Sequence, residues 1–288
     1  MLTRRRLLEA AAGIGGAGAL AAVAVPGARH RLHDLVDPAP VSPHPVPRGP
    51  VGELVSGSFA SAAMGFVVGC SIAYPTTVQR ELPFLLVLHG RGNDHRSAFS
   101  AHLLRRFLSD AVRRGVPPFA VVAVDGGSDS YWHRRRSGMD PQRMILSELL
   151  PVLVGRGLYT DRFAVGGWSM GGYGALLLAE RLGAERIAAV VPDSPALWER
   201  WKDAAAGAFD GPGDFADHDV LALTDRLRGI PVRVTCGTSD PLLPGVKAFL
   251  RRFPAAQREL GPGGHDDAWW QHTAPAQLAF AGRALSLG

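Results

Sequence analysis

Phe163-Ala164-Val165-Gly166-Gly167-Trp168-Ser169-Met170-Gly171-Gly172-Tyr173-Gly174 changes character at its centre. Its first residues are a short apolar run of the kind that forms a strand buried on both faces, and Gly171 to Leu182 reads as a helix. Between them Gly167-Trp168-Ser169-Met170-Gly171 is a G-x-S-x-G pentapeptide. Small residues flank the serine because a tight strand-to-helix turn leaves no room for side chains, and the turn projects the hydroxyl into a cleft. The other Gly-x-Ser starts, at Gly69, Gly126 and Gly237, lack the closing glycine.

The same alternation extends in both directions. Apolar runs at Pro83 to Leu88, Phe119 to Val124, Ile187 to Val191 and Val232 to Gly237 alternate with helical periods at Arg96 to Arg113, Asp140 to Val154, Pro244 to Arg252 and Asp267 to Leu285. Such βαβ units predict a mostly parallel central sheet with helices on both faces. Ser56 to Ala60 and Phe66 to Tyr74 read as an antiparallel hairpin leading into it. Open α/β sheets bind ligands beyond the carboxyl ends of their strands, which points to His89-Gly90-Arg91-Gly92, Ser169 and Asp240.

A serine hydroxyl needs a base to take its proton, and the base needs an acid to fix its tautomer. In this fold class the chain order is Ser, Asp or Glu, His. His265, in Gly261-Pro262-Gly263-Gly264-His265, supplies the base, whereas His272 falls within the last helix. Asp240, on the loop after Val232 to Gly237, supplies the acid; Asp193 is the alternative and Asp266 a poorer one. The N–H of Met170 and the N–H of Arg91 are the candidate oxyanion donors.

Asp161-Arg162, Gly167-Trp168-Ser169-Met170-Gly171-Gly172-Tyr173-Gly174 and Gly264-His265-Asp266 followed by Trp269-Trp270 together resemble the esterase D branch of the α/β-hydrolases. That branch includes S-formylglutathione hydrolases, enterochelin and feruloyl esterases and the secreted mycolyltransferase antigens. The resemblance runs from about Gly57 to the C-terminus. It implies an α/β-hydrolase fold and a serine esterase or acyltransferase with the triad Ser169, Asp240, His265. His89-Gly90-Arg91-Gly92 is closer to ordinary carboxylesterases, and the acid is Asp rather than the Glu of the mycolyltransferases. Both features weigh towards hydrolysis.

Asp193 to Ile230 is longer than a usual connection between two strands and carries Trp198, Trp201 and Phe209, so a small cap is expected over the site. Trp132 and Trp198 are the candidate substrate-binding aromatics, with packing of the cap as the alternative. His133-Arg134-Arg135-Arg136 reads either as a contact for an anionic substrate or as a solvated loop. The expected ligand is a small-molecule or lipid ester; no cofactor and no metal ligand set is read from the sequence.

The ends of the chain set its context. Thr3-Arg4-Arg5-Arg6-Leu7-Leu8, then Ala10 to Val25 and Pro26-Gly27-Ala28, read as a twin-arginine export signal over 1–28, addressed to that export machinery. A secreted or envelope-associated protein is expected. Six prolines between Pro38 and Pro50 mark 29–51 as a tether, leaving 52–288, about 237 residues, as one catalytic domain. The formal charge of +5 loses three Arg and Glu9 with the signal, 5 − 2 = +3. Apart from Lys202 and Lys247 every basic residue is arginine, scattered along the chain, so no nucleic-acid partner is expected. Cys70 and Cys236 lie in strand-like runs and read as small apolar residues rather than a disulfide.

Overall fold

The computed structural model describes residues 42–76 and 81–286. The export-signal reading and most of the tether fall outside them. Residues 42–51 carry no helix or strand. The His44 ring meets Phe107 edge-on at 6.2 Å, and the Arg113 guanidinium donates to the carbonyls of Arg48 and Pro50.

Eight strands form one open sheet: β1 (Leu54–Ser61), β2 (Phe66–Ala73), β3 (Phe84–Leu88), β4 (Ala120–Val124), β5 (Phe163–Trp168), β6 (Ile187–Asp193), β7 (Arg233–Gly237) and β8 (Gln257–Gly261). Their spatial order is β1-β2-β4-β3-β5-β6-β7-β8. The β1–β2 hairpin joins β4 antiparallel, and every pairing from β4 to β8 is parallel. This is the α/β-hydrolase architecture.

The strands β3, β4 and β5 carry no charged or hydrogen-bonding side chain except the Trp168 indole at the end of β5, because both sheet faces are covered. Phe84, Leu86 and Leu88 of β3 face one core with Phe163 and Val165, under α5 (Met170–Arg186). Leu85 and Val87 face the other, under α2 (Leu104–Arg113) and α8 (Asp267–Leu285). The rings of Phe84 and Phe163 stack at 5.1 Å and 6°.

The sequence predicts one helix over Arg96 to Arg113; the structure has α1 (Ser97–Ser100) and α2 separated by a break at Leu103, whose φ is 56°. The break turns His102 inward, where it is buried. In the segment from β4 to β5, α3 (Pro141–Met144) and α4 (Leu150–Val154) flank a π-helical turn, Ile145–Leu149. The strand β8 is absent from the sequence reading, because Gln257-Arg258-Glu259 is polar and lies at the sheet edge. Between β6 and β7 the chain leaves the sheet as a cap holding α6 (Pro212–Asp217), and returns to α7 (Leu243–Arg252) after β7. The two cysteines are buried and free, on β2 and β7.

Phe163 is fully buried against its stacked partner, so Phe163→Ala is expected to cost about 3–5 kcal/mol in urea unfolding. A loss below about 1 kcal/mol would contradict this account of the two-sided core.

Candidate active site

The turn between β5 and α5 is set by contact with the end of β3. A Cβ on Gly171 would lie 1.9 Å from the Leu88 carbonyl oxygen, and one on Gly167 2.3 Å from the same atom. Only glycine lets the backbones cross this closely. The crossing forces Ser169 to φ 56°, ψ −119°, a conformation an L-residue avoids. Backbone hydrogen bonds hold it there: the Ser169 N–H donates to the Asp193 carbonyl at 3.0 Å, and its own carbonyl accepts from Ala196 and Tyr173.

The structure brings Ser169, His265 and Asp240 into one hydrogen-bonded chain. Ser169 Oγ lies 2.9 Å from His265 Nε2, and His265 Nδ1 lies 2.8 Å from Asp240 Oδ2. Asp240 Oδ1 accepts from the Leu242 N–H at 2.8 Å. Burial works to raise the Asp240 carboxyl, but hydrogen bonds from His265 and Leu242 outweigh it and hold the group below its ordinary value. An ionised Asp240 can only accept, so His265 Nδ1 carries a proton and Nε2 presents its lone pair to the serine. The strand β8 aligns the two loops: Thr238 N–H donates to the Gly261 carbonyl and Ser239 N–H to the Gly263 carbonyl, extending the β7–β8 ladder. Trp270 stands edge-on against the His265 ring, with centroids 5.2 Å apart.

Asp193 lies elsewhere. Wholly buried at the end of β6, it accepts from the Thr235 and Thr273 hydroxyls and from Trp269 Nε1 at 3.0 Å. Burial raises its carboxyl to about 6, although those three donors pull it down. Asp266 caps α8, accepting from the Trp269 N–H. His272 stacks on Trp269 and faces Glu259.

The loop bearing Arg91 is fixed by His89. The Gly126 N–H donates to His89 Nε2, so the ring's proton sits on Nδ1, which donates to the Gly90 carbonyl at 2.8 Å. Asn93 N–H also donates to that carbonyl. Because a trans peptide sets C=O and N–H in opposite directions, pinning the Gly90 oxygen turns the Arg91 N–H away from both partners. The Met170 N–H opens α5, where the first turn has no intrahelical acceptors. Trp168 Nε1 donates to Asn93 Oδ1 and ties this loop to the serine turn.

Trp132 does not line the cleft. Its ring is 0% exposed and fills the space above Gly126 and Gly174, and its Nε1 donates to the His89 carbonyl. Trp132 therefore supports the loop rather than a substrate. Trp198 is half-buried. It packs on Tyr131 at 5.8 Å and borders an open cavity of about 620 Å³, shared with Leu197, Glu199, Arg200, Asp203 and Pro241 beside the Asp240 loop. Phe209 and Phe215 of the cap pack inward, 5.1 Å apart, whereas Trp201 is exposed. The run His133 to Arg136 is only partly solvated, with Arg134 and Arg136 exposed. His133 is buried, and Arg135 donates to the carbonyls of Gly207 and Ala208 and to Asp210, fastening the cap.

Residues 61–281 match the family described as "Putative esterase". The chain belongs to that family. No curated protein matches it. Among solved structures it is similar to a ferulic acid esterase, with a TM-score of 0.72 at 19% identity over 82% of this chain and 100% of that one. It is also similar to FphF of Staphylococcus aureus, a fluorophosphonate-binding serine hydrolase, with a TM-score of 0.67 at 22% identity over 81% and 99%. MPT51 of Mycobacterium tuberculosis gives a TM-score of 0.63 at 17% identity over 82% and 98%. The fold is common to all three.

Asp193→Ala strands three buried donors and is expected to lower stability by about 3 kcal/mol at pH 4. The folded-state pKa of about 6 lies above the ordinary 3.8, so the native protein holds an extra proton between those values. The Asp193 contribution is then full below pH 3.8 and falls as pH rises to about 6. Denaturation series should find the gap between wild type and variant narrowing over that window. A gap that widens would show that the carboxylate form is the stabilising one.

Proposed function

We propose that the protein hydrolyses carboxylic esters through an acyl-enzyme on Ser169. The observation that carries this reading is the chain from Ser169 Oγ through His265 to the buried Asp240. In the first half-reaction Ser169 Oγ attacks the ester carbonyl carbon while its proton passes to His265 Nε2. The negative oxygen of the tetrahedral intermediate is met by the N–H groups of Arg91 and Met170. As the C–O bond to the alcohol breaks, His265 returns the proton to the departing alkoxide. Water then enters, His265 takes its proton, and the acid leaves as Ser169 regains its hydrogen. Asp240 stays ionised throughout and stabilises the imidazolium.

The cavity beside Trp198 is of a size that holds small organic ligands, and it adjoins the Asp240 loop, which suits a bulky group on the ester. Its mixed lining of Trp198, Glu199, Arg200 and Asp203 fits a substrate with polar as well as apolar surface. Arg4 and Arg5, followed by the weakly apolar run to Val25, support export by the twin-arginine route, which places the reaction outside the cytoplasm.

A fluorophosphonate probe is expected to label wild-type protein at Ser169, and Ser169→Ala to lower kcat on p-nitrophenyl esters by about 10⁴-fold or more. Unlabelled wild type would overturn the reading. Hydrolysis should persist when glycerol or trehalose is offered as acceptor; dominant acyl transfer would make the enzyme a transferase instead. For export, Arg4→Lys with Arg5→Lys should leave the protein in the cytoplasmic fraction, whereas unchanged export would point to another route.

A further inference from the structure

The cap is fastened to the loop after β4 by a cluster that takes no part in the Ser169 chain. His133, 1% exposed, faces two residues of the cap, Asp214 and His218. Its Nε2 lies 3.1 Å from the Ala208 carbonyl, which can only accept, so Nε2 carries the proton of the neutral ring. The Nδ1 lone pair then faces two further acceptors, the Arg134 carbonyl at 3.0 Å and Asp214 Oδ1 at 3.7 Å. Lone pairs opposed in this way inside a protein repel unless a positive charge lies among them.

The surrounding groups leave such a charge a defined place. Asp214 Oδ2 is occupied by the Asp210 N–H at 2.7 Å, and Asp210 is itself held by Arg135 and Arg136. That fixes Oδ1 towards the two imidazoles, with His218 Nδ1 at 3.0 Å and His133 Nδ1 at 3.7 Å. One ligand atom from each of the three residues lies within 4.8 Å of the others. Around a tetrahedral zinc ion with bonds of about 2.0–2.1 Å, neighbouring ligand atoms stand about 3.3 Å apart, between the two observed values. A ligating histidine ordinarily donates its second N–H to a carbonyl, as His133 does to Ala208.

We propose that His133, Asp214 and His218 bind a zinc-type transition-metal dication through two imidazoles and one carboxylate, with the fourth position open to water. The rings of His133 and His218 lie 4.4 Å apart and tilted by 31°. Binding therefore turns the half-exposed His218 ring about its Cβ–Cγ bond until its Nδ1 lone pair meets the ion. Nδ1 gives up its contact with the Asp214 carbonyl, and any proton it carries goes to solvent. The ion joins the β4 loop to the cap and acts on cap stability rather than on bond cleavage.

The test titrates chelator-treated full-length protein with Zn²⁺ by calorimetry and with Co²⁺ by visible absorption. One saturable site per chain is expected, with a rise in Tm on Zn²⁺ binding. Asp214→Asn and His218→Gln should each weaken that site by more than about 100-fold and remove the Tm rise. Metal-free ester hydrolysis should be unchanged in both. Should a variant not fold, the wild-type Co²⁺ spectrum decides alone: an intense four-coordinate band supports the site and a weak six-coordinate one overturns it. Absence of saturable binding, or equal binding in folded variants, would overturn it too. So would a His133 ring found by NMR to keep protons on both nitrogens at saturating Zn²⁺, which would assign the cluster to a buried ion pair.

Discussion

The carbonyl oxygen of Leu88, crossed at close range by the backbone at Gly167 and Gly171, is the constraint on which the rest of the site depends. The crossing sets the depth of α5 beneath the sheet's carboxyl edge and leaves Ser169 in its strained conformation. Such strain persists only where the surroundings over-determine it. Here three backbone hydrogen bonds do so, and the Asp193 and Ala196 groups among them come from the end of β6 and the residues just after it. Asp193 thus supports the serine twice, through its carbonyl and through the buried side-chain cluster that anchors α8 under β6.

Around that point the site is assembled from two loops, each held by groups outside the chain of Ser169, His265 and Asp240. His89 and Trp132 fix the peptide of Arg91 from below. The edge strand β8 holds the glycine loop that carries His265. Trp168 spans the gap between the serine turn and the Arg91 loop through Asn93. Its ring also meets His102 in a T-shaped contact at 3.9 Å, and His102 and the His265 ring both meet Trp270. The aromatic groups therefore connect Ser169, His265 and the Arg91 loop in one packed layer.

The sequence makes the central strands legible because both faces of β3 to β5, and of β6 up to Asp193, are apolar, and it makes the serine turn legible because the spacing of its glycines is a steric requirement. It does not make β8 legible, since an edge strand of Gln257, Arg258 and Glu259 has neither an apolar run nor an alternation to find. The direction of Trp132 is equally hidden. An aromatic beyond a strand end can face cleft or core, and the vacancies that draw it inward belong to Gly126 and Gly174, the latter on another element. The cap ties escape for a different reason. His133 and Arg135 are bonded to residues some 70 to 80 positions later, at no recurring spacing.

The place where the cap leaves the sheet has a further consequence. The segment is a crossover between parallel neighbours: it leaves β6 after Asp193 and returns to the sheet at Val232, which pairs with Val190 three residues earlier on β6. Both of its ends are held by the β6–β7 pairing, so a change of length between them alters no strand register and adds only a slowly growing closure entropy. The cap is in that sense an exchangeable module, whose aromatic lining can diverge between related chains while the hydrogen-bonded chain beneath it keeps its geometry.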